Sequence, residues 1–107
     1  MSDEQSGVFK ALAHPTRRQI LSELRAGDLA AGEITARFAI SGPTISRHLS
    51  VLKAAGLVSE RRDANRIIYS LNPERLAVTI GNYLGSVCPG QIVIRHHRGR
   101  ASEKKTA

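Results

Sequence analysis

The stretch Ser41-Gly42-Pro43-Thr44-Ile45-Ser46-Arg47-His48 gathers short hydroxyl side chains, a guanidinium and an imidazole within about two helical turns. From Ser41 to Lys53 there is no Asp or Glu, whereas Arg47 and Lys53 are positive. Hydrogen-bonding groups of this kind, on one helix and free of neighbouring carboxylates, suit the reading of base edges in a major groove. Ser41, Thr44, Ser46, Arg47 and His48 are the candidate readers. Arg61, Arg62 and Arg66 flank the polar turn Asp63-Ala64-Asn65, where they suit adjoining phosphates or a minor groove. Arg17 and Arg18, at the start of another helical stretch, suit a phosphate held together with backbone N–H groups. Lys53 completes the set of candidate backbone contacts.

Each of these groups also has an ordinary structural reading. Charged residues on a helix or hairpin commonly form a solvated face. Thr44 and Ser46 suit support of a helix start, and His48 suits half-buried packing. Other chemistries lack their parts: the chain shows no Ser-His-Asp set, no carboxylate pair in an evident pocket and no phosphate loop, which argues against an enzyme. The single cysteine, Cys88, allows no intramolecular disulfide and no thiolate-rich metal site within one chain.

The elements that must carry these residues follow from periodicity and punctuation. Val8 to Ala13 reads as a short helix with Val8 and Leu12 on one side. Pro15 opens a second helix, bearing Ile20, Leu21 and Leu24 at helical spacing, and Gly27 ends it. A third helix is expected over Ala30 to Ala39, with Glu33 placed for a capping box but Ala30 at the cap. Ser41 caps a fourth, Pro43 sits in its first turn and Gly56 stops it. Its apolar stripe is Ile45, Leu49 and Leu52, leaving Pro43, Ser46, Arg47 and Ser50 on the free side with Thr44 and His48 along a flank. Leu57 to Arg62 and Arg66 to Leu71 then read as a β-hairpin. Asn72-Pro73-Glu74 starts a fifth helix with Leu76, Ile80, Tyr83, Leu84 and Val87 on one face.

The expected fold is therefore mainly α with a small β-hairpin, in the order helix, helix, helix, helix, strand, strand, helix. A connection of about two or three residues between the third and fourth helices sets a steep crossing, which is helix-turn-helix geometry, and the hairpin makes it winged. Residues 1–7 are expected to be disordered, 8–88 to form the domain, and 89–107 to form a basic, largely flexible tail. The net charge of +7 is concentrated in that tail, where Arg95, Arg98, Arg100, Lys104 and Lys105 face only Glu103. The acidic, polar start has no signal-peptide core and no apolar run approaches a membrane span, so a cytoplasmic protein without membrane insertion is expected.

Over about residues 8–86 the sequence resembles the ArsR family of bacterial winged-helix repressors. The resemblance is carried by Phe9 to Arg18, by Ser41 to Leu49, by Leu52-Lys53-Ala54-Ala55-Gly56-Leu57-Val58, and by Arg61-Arg62 through Ile68-Tyr69-Ser70-Leu71. It implies a homodimer joined through the first and fifth helices, here Val8, Leu12, Leu76, Ile80, Tyr83, Leu84 and Val87. It also implies a repressor of an inverted-repeat DNA operator, often in its own promoter. Many members carry Gln where Gly42 stands, which implies a different specificity here.

The family's sensor sites call for cysteines in the stretch Leu29 to Glu33, spaced Asp and His on the last helix, or a cysteine pair; this sequence has none of these. The chain thus looks most like the sensor-less subgroup of autorepressors, without metal or cofactor, regulated by its own level or by a protein partner. Two other readings compete: a metal- or redox-responsive repressor using Cys88, His96 and His97, and a winged helix used mainly for protein contact.

Overall fold

The computed structural model describes residues 3–91, so the tail histidines and most of the basic tail lie outside the described residues. The elements run α1 (Asp3–Leu12), α2 (Pro15–Leu24), β1 (Leu29–Ala30), α3 (Ala31–Ala36), α4 (Gly42–Ala54), β2 (Val58–Asp63), β3 (Arg66–Leu71) and α5 (Pro73–Val87). The chain divides into two compact units, one ending at Leu76 and the other beginning at Ala77.

The first unit is built on an apolar cluster to which each of its four complete helices contributes: Val8 and Ala11, Ile20 and Leu24, Ile34, then Ile45, Leu49 and Leu52. Leu57 and Val58 close it from the base of the hairpin. The stripe expected on α4 is the buried one, with Ile45, Leu49 and Leu52 each no more than 1% exposed. Truncating such a side chain removes transfer energy and leaves a cavity, together about 2–5 kcal/mol for Leu→Ala.

The end of α4 shows why the chain turns there. Gly56 adopts φ +79°, its N–H donates to Lys53 O at 2.9 Å, and the Leu57 N–H donates to Leu52 O at 3.0 Å. This paired closure satisfies the last carbonyls and brings Leu57 over Leu52. A Cβ at position 56 would stand 3.1 Å from Arg75 Cζ, a second reason for glycine.

Several boundaries differ from the sequence expectation. The helix expected from Val8 begins at Asp3, so residues 3–7, expected as disordered, belong to α1. Once a helix is nucleated, each upstream residue adds a backbone hydrogen bond without needing an apolar period. The third helix is shorter than expected, Ala31–Ala36, and Leu29–Ala30 pairs antiparallel with Tyr69 and Ile68. The sheet therefore has three strands, in the order β1-β3-β2. The connection from α3 to α4 accordingly covers residues 37–41, longer than expected, with Phe38 and Ile40 packed against the core. In the hairpin Asp63 pairs with Arg66, leaving Ala64 and Asn65 to turn, and Ala64 takes φ +58°.

Val8 needs a correction. It is fully buried within the core, so it has no surface to offer a second copy, whereas Leu12 is only half-buried. The sequence pattern places Val8 on an apolar face but cannot tell whether that face meets its own core or a partner. On α5, Leu76, Ile80 and Leu84 are half-buried, and Val78, Tyr83 and Val87 are exposed.

Candidate nucleic-acid interface

Ser41 sets the start of α4. Its Oγ accepts from the Thr44 N–H at 3.4 Å and donates to Thr44 Oγ1 at 3.0 Å. The two hydroxyls thus serve the helix cap, and Thr44 is half-buried. Beyond the cap, helical geometry turns Pro43, Arg47, Ser50 and Ala54 away from the buried stripe. All four are exposed. Ser46 and Lys53 share one flank; Thr44, His48 and Val51 share the other. Val51, 40% exposed, is an apolar group on this surface that the sequence reading did not single out. At Gly42 a Cβ would lie 3.9 Å from Thr35 Cγ2, an ordinary contact, so packing alone does not demand glycine there.

Three of the candidate cations, Lys53 near the end of α4 and Arg61 and Arg66 on the hairpin, are bound to acids. Lys53 pairs with Glu60, whose carboxylate raises the lysine's pKa. Arg61 Nη1 lies 2.8 Å from Asp28 Oδ2 and holds that carboxyl below its ordinary value, while also reaching Ser70 Oγ at 3.3 Å. Arg66 meets Glu33 at 3.2 Å, on the same Oε1 that accepts from the Ala30 N–H at 2.7 Å. That last bond is half of a capping box, since Ala30 has no oxygen to complete it. Among the described residues, Arg47 and Arg62 make no ion pair or side-chain hydrogen bond. Because side chains alternate along β2, Arg61 and Arg62 face opposite sides of the hairpin.

Arg17 and Arg18, expected to contact a phosphate, are hydrogen-bonded to the backbone within the protein. Arg17 Nε donates to Ala11 O at 2.7 Å and its Nη2 to Lys10 O at 3.0 Å; Arg18 Nη1 donates to Leu12 O at 2.8 Å. They close the carboxyl end of α1, where orphan carbonyls and the helix dipole favour cations. The third Arg17 nitrogen, Nη1, reaches His48 Nδ1 at 3.4 Å.

His48 is half-buried, its ring centroid 4.4 Å from that of His14 and tilted by 50°. Burial lowers its pKa, and His14, Arg17 and Arg47 lower it further. His14 is the functional-site neighbour that the sequence reading missed. Read there only as part of a helix break, it is the cap of α2, its Nδ1 accepting from the Thr16 N–H at 3.1 Å. The available signal was a side chain with a ring acceptor standing just before Pro15, where Asp or Asn would serve.

Cys88 is a half-buried free thiol, while His96 and His97 lie outside the described residues. Among the described residues, no group of three or more His, Cys, Asp or Glu side chains is arranged to hold a metal ion. No described helix is long and apolar enough to cross a membrane.

Known proteins share both the sequence and the shape. A family described as a helix-turn-helix domain matches residues 12–61, spanning α2, α3 and α4 and reaching into β2. The transcriptional repressor SdpR of Bacillus subtilis is 45% identical over 85 residues, covering 79% of this chain and 94% of the relative. The regulator YgaV of Escherichia coli is 33% identical over 89 residues, covering 82% and 90%. Among solved structures, an ArsR-like transcriptional regulator from Rhodococcus superposes with a TM-score of 0.71 at 31% identity, covering 97% of this chain and 92% of the other.

Proposed function

The chain belongs to the ArsR family of winged helix-turn-helix DNA-binding repressors and is SdpR-like, and from that premise we propose that it represses transcription as a homodimer on an inverted-repeat operator, with α4 as the reading helix. The observation that carries the reading is the outward face of α4. It presents Arg47 without an ion pair, beside exposed Ser46 and Ser50, on a helix that bears no acid. Arg62 supplies a second uncommitted cation, on the wing, for phosphate.

The dimer is proposed to form through α1 and α5, with Leu12, Leu76, Ile80, Tyr83, Leu84 and Val87 at the contact and Val8 removed from that set. Exposed Tyr83 and Val87 support it, since apolar side chains on one helix gain by meeting a second copy. The rest of the reading is an autorepressor acting in the cytoplasm without a metal or oxidant sensor, controlled by its own level or by a protein partner. The domain would then comprise residues 8–88 together with the added first turn of α1, and 89–107 would be its basic tail.

A mobility-shift titration of the full chain against DNA from upstream of its own gene tests this directly. Binding preferred over random duplex and weakened steeply by salt is expected, because phosphate contacts release counterions. Equal affinity for both duplexes would remove the reading. Adding zinc, copper or peroxide is expected to leave the affinity unchanged; release of the DNA would favour a sensor at Cys88 and the tail histidines instead.

A further inference from the structure

His14, Arg17 and His48 form a cluster that joins the carboxyl end of α1, the start of α2 and the middle of α4. A guanidinium carries only donors, so the His48 nitrogen facing Arg17 must be the one with the lone pair. The same logic holds for His14, whose Nδ1 accepts the Thr16 N–H. Both imidazoles are therefore neutral, with the remaining proton on Nε2. Among the described residues, neither Nε2 has a hydrogen-bond partner. Since no buried side-chain nitrogen or oxygen among the described residues lacks a partner, both Nε2–H groups reach solvent. Arg17 itself is held by the carbonyls of Lys10 and Ala11.

We infer that Arg17 is a positioning residue for DNA reading: fixed on the last carbonyls of α1, it pins His48 Nδ1 and thereby presents His48 Nε2–H as an oriented donor to a base-edge acceptor. This rests on α4 being the reading helix. His48 gains a defined role by it, a hydrogen-bond donor whose tautomer is set from another helix. Acid undoes the arrangement, because a proton added at Nδ1 removes the acceptor and points a charge at the guanidinium. The groups acting on His48 come from the α1–α2 connection (His14), from α2 (Arg17) and from α4 itself (Arg47), and each is positive when charged. Operator discrimination therefore falls as the pH drops, even while added charge favours DNA in general.

The test uses the full chain, a duplex selected from a random pool by the wild-type protein, and a random duplex of equal length. Nitrogen-15 NMR of the imidazoles at pH 7.5 is expected to show His48 protonated at Nε2 alone; an Nδ1–H form or a charged ring overturns the inference without any mutation. Arg17→Met is expected to mix the tautomers and to lower affinity for the selected duplex roughly 5–10-fold more than for the random one, about the worth of one oriented hydrogen bond. An unchanged tautomer, or equal loss on both duplexes, overturns it. Between pH 7.5 and 5.0 the ratio of selected to random binding should fall in the wild type and stay flat in His48→Gln. A fall that persists in His48→Gln assigns it to other groups and overturns the inference. Arg47→Ala separates the two levels: if it keeps full discrimination, the reading-helix assignment itself fails, whereas if it loses discrimination and Arg17→Met does not, only the Arg17 role fails.

Discussion

Arg47 on α4 and Arg61 on the wing carry the same guanidinium, and a count of charges treats them alike. Their surroundings do not. Arg47 makes no ion pair among the described residues, whereas Arg61 rests against Asp28, Arg66 against Glu33 and, near the end of α4, Lys53 against Glu60. A paired cation must exchange its carboxylate for phosphate when DNA arrives, so much of its attraction is offset; an unpaired one has nothing to exchange. Exposed pairs of this kind add little to stability. Their stronger effect is to decide which cations meet DNA freely. The wing is thus held to the body of the fold by the charges that a sequence reading assigns to DNA.

The largest expected effect belongs to Arg47→Ala. It should cost about 1–3 kcal/mol in binding to the preferred duplex and relax specificity, read as a competition titration against random DNA. A uniform loss on both duplexes would make Arg47 a phosphate contact and erase the contrast with the wing. Arg62→Ala comes next, weakening all duplexes alike and lowering the slope of log affinity against log salt by about 1. Arg61→Ala should do less than Arg62→Ala, since Arg61 is already paired; the reverse ranking would break the comparison. Asp28→Asn sharpens it from the other side. Releasing Arg61 should raise affinity for random duplex modestly, with the gain lost in the Asp28→Asn, Arg61→Ala double variant.

Smaller effects concern stability. The lowered pKa of His48 means that the unfolded chain takes up a proton before the native one does. Stability is therefore full above the unfolded value of 6.5 and declines as the pH falls from there through the folded value. Melting temperatures across that window should show the decline in the wild type and a shallower one in His48→Gln. Smallest of all is Ala64→Gly at the tip of the wing. Relieving φ +58° recovers about 1–2 kcal/mol of left-handed strain but adds about 0.5–1 kcal/mol of unfolded-state freedom, so a rise of roughly one degree to a few degrees in Tm is expected, with DNA binding unchanged.

Legibility in the sequence followed the range of the interaction. Residues close in the chain announced α4: Ser41 at the cap, Pro43 in the first turn, Gly56 past the end, and a stripe repeating at helical spacing. The hairpin was equally visible, from strands flanking a polar turn. What stayed hidden depended on distant partners or on too few residues. β1 is only Leu29–Ala30, too short to have a period, and exists because β3 offers Tyr69 and Ile68 to pair with. Arg61 meets Asp28 and Arg66 meets Glu33 across long stretches of chain, so composition recorded the charges but not their cancellation. The hydrogen bonds of Arg17 were hidden for the same reason, since the carbonyls it caps belong to α1 and not to its own helix. For the candidate site, α4 and its exposed residues were legible; which of its neighbouring cations are paired with acids was not.

The two ends of α4 are closed with local parts, the Ser41–Thr44 hydroxyl pair in front and the Gly56 turn behind, while Ile45, Leu49 and Leu52 hold it from beneath. Ser46, Arg47 and Ser50 carry none of that structural work. On the proposed reading, sequence drift at these positions would alter the DNA text that is recognised without a folding penalty to suppress it. A lineage built on this scaffold can acquire new operators by exchanging a few letters on one surface, and a designer can retarget it in the same way.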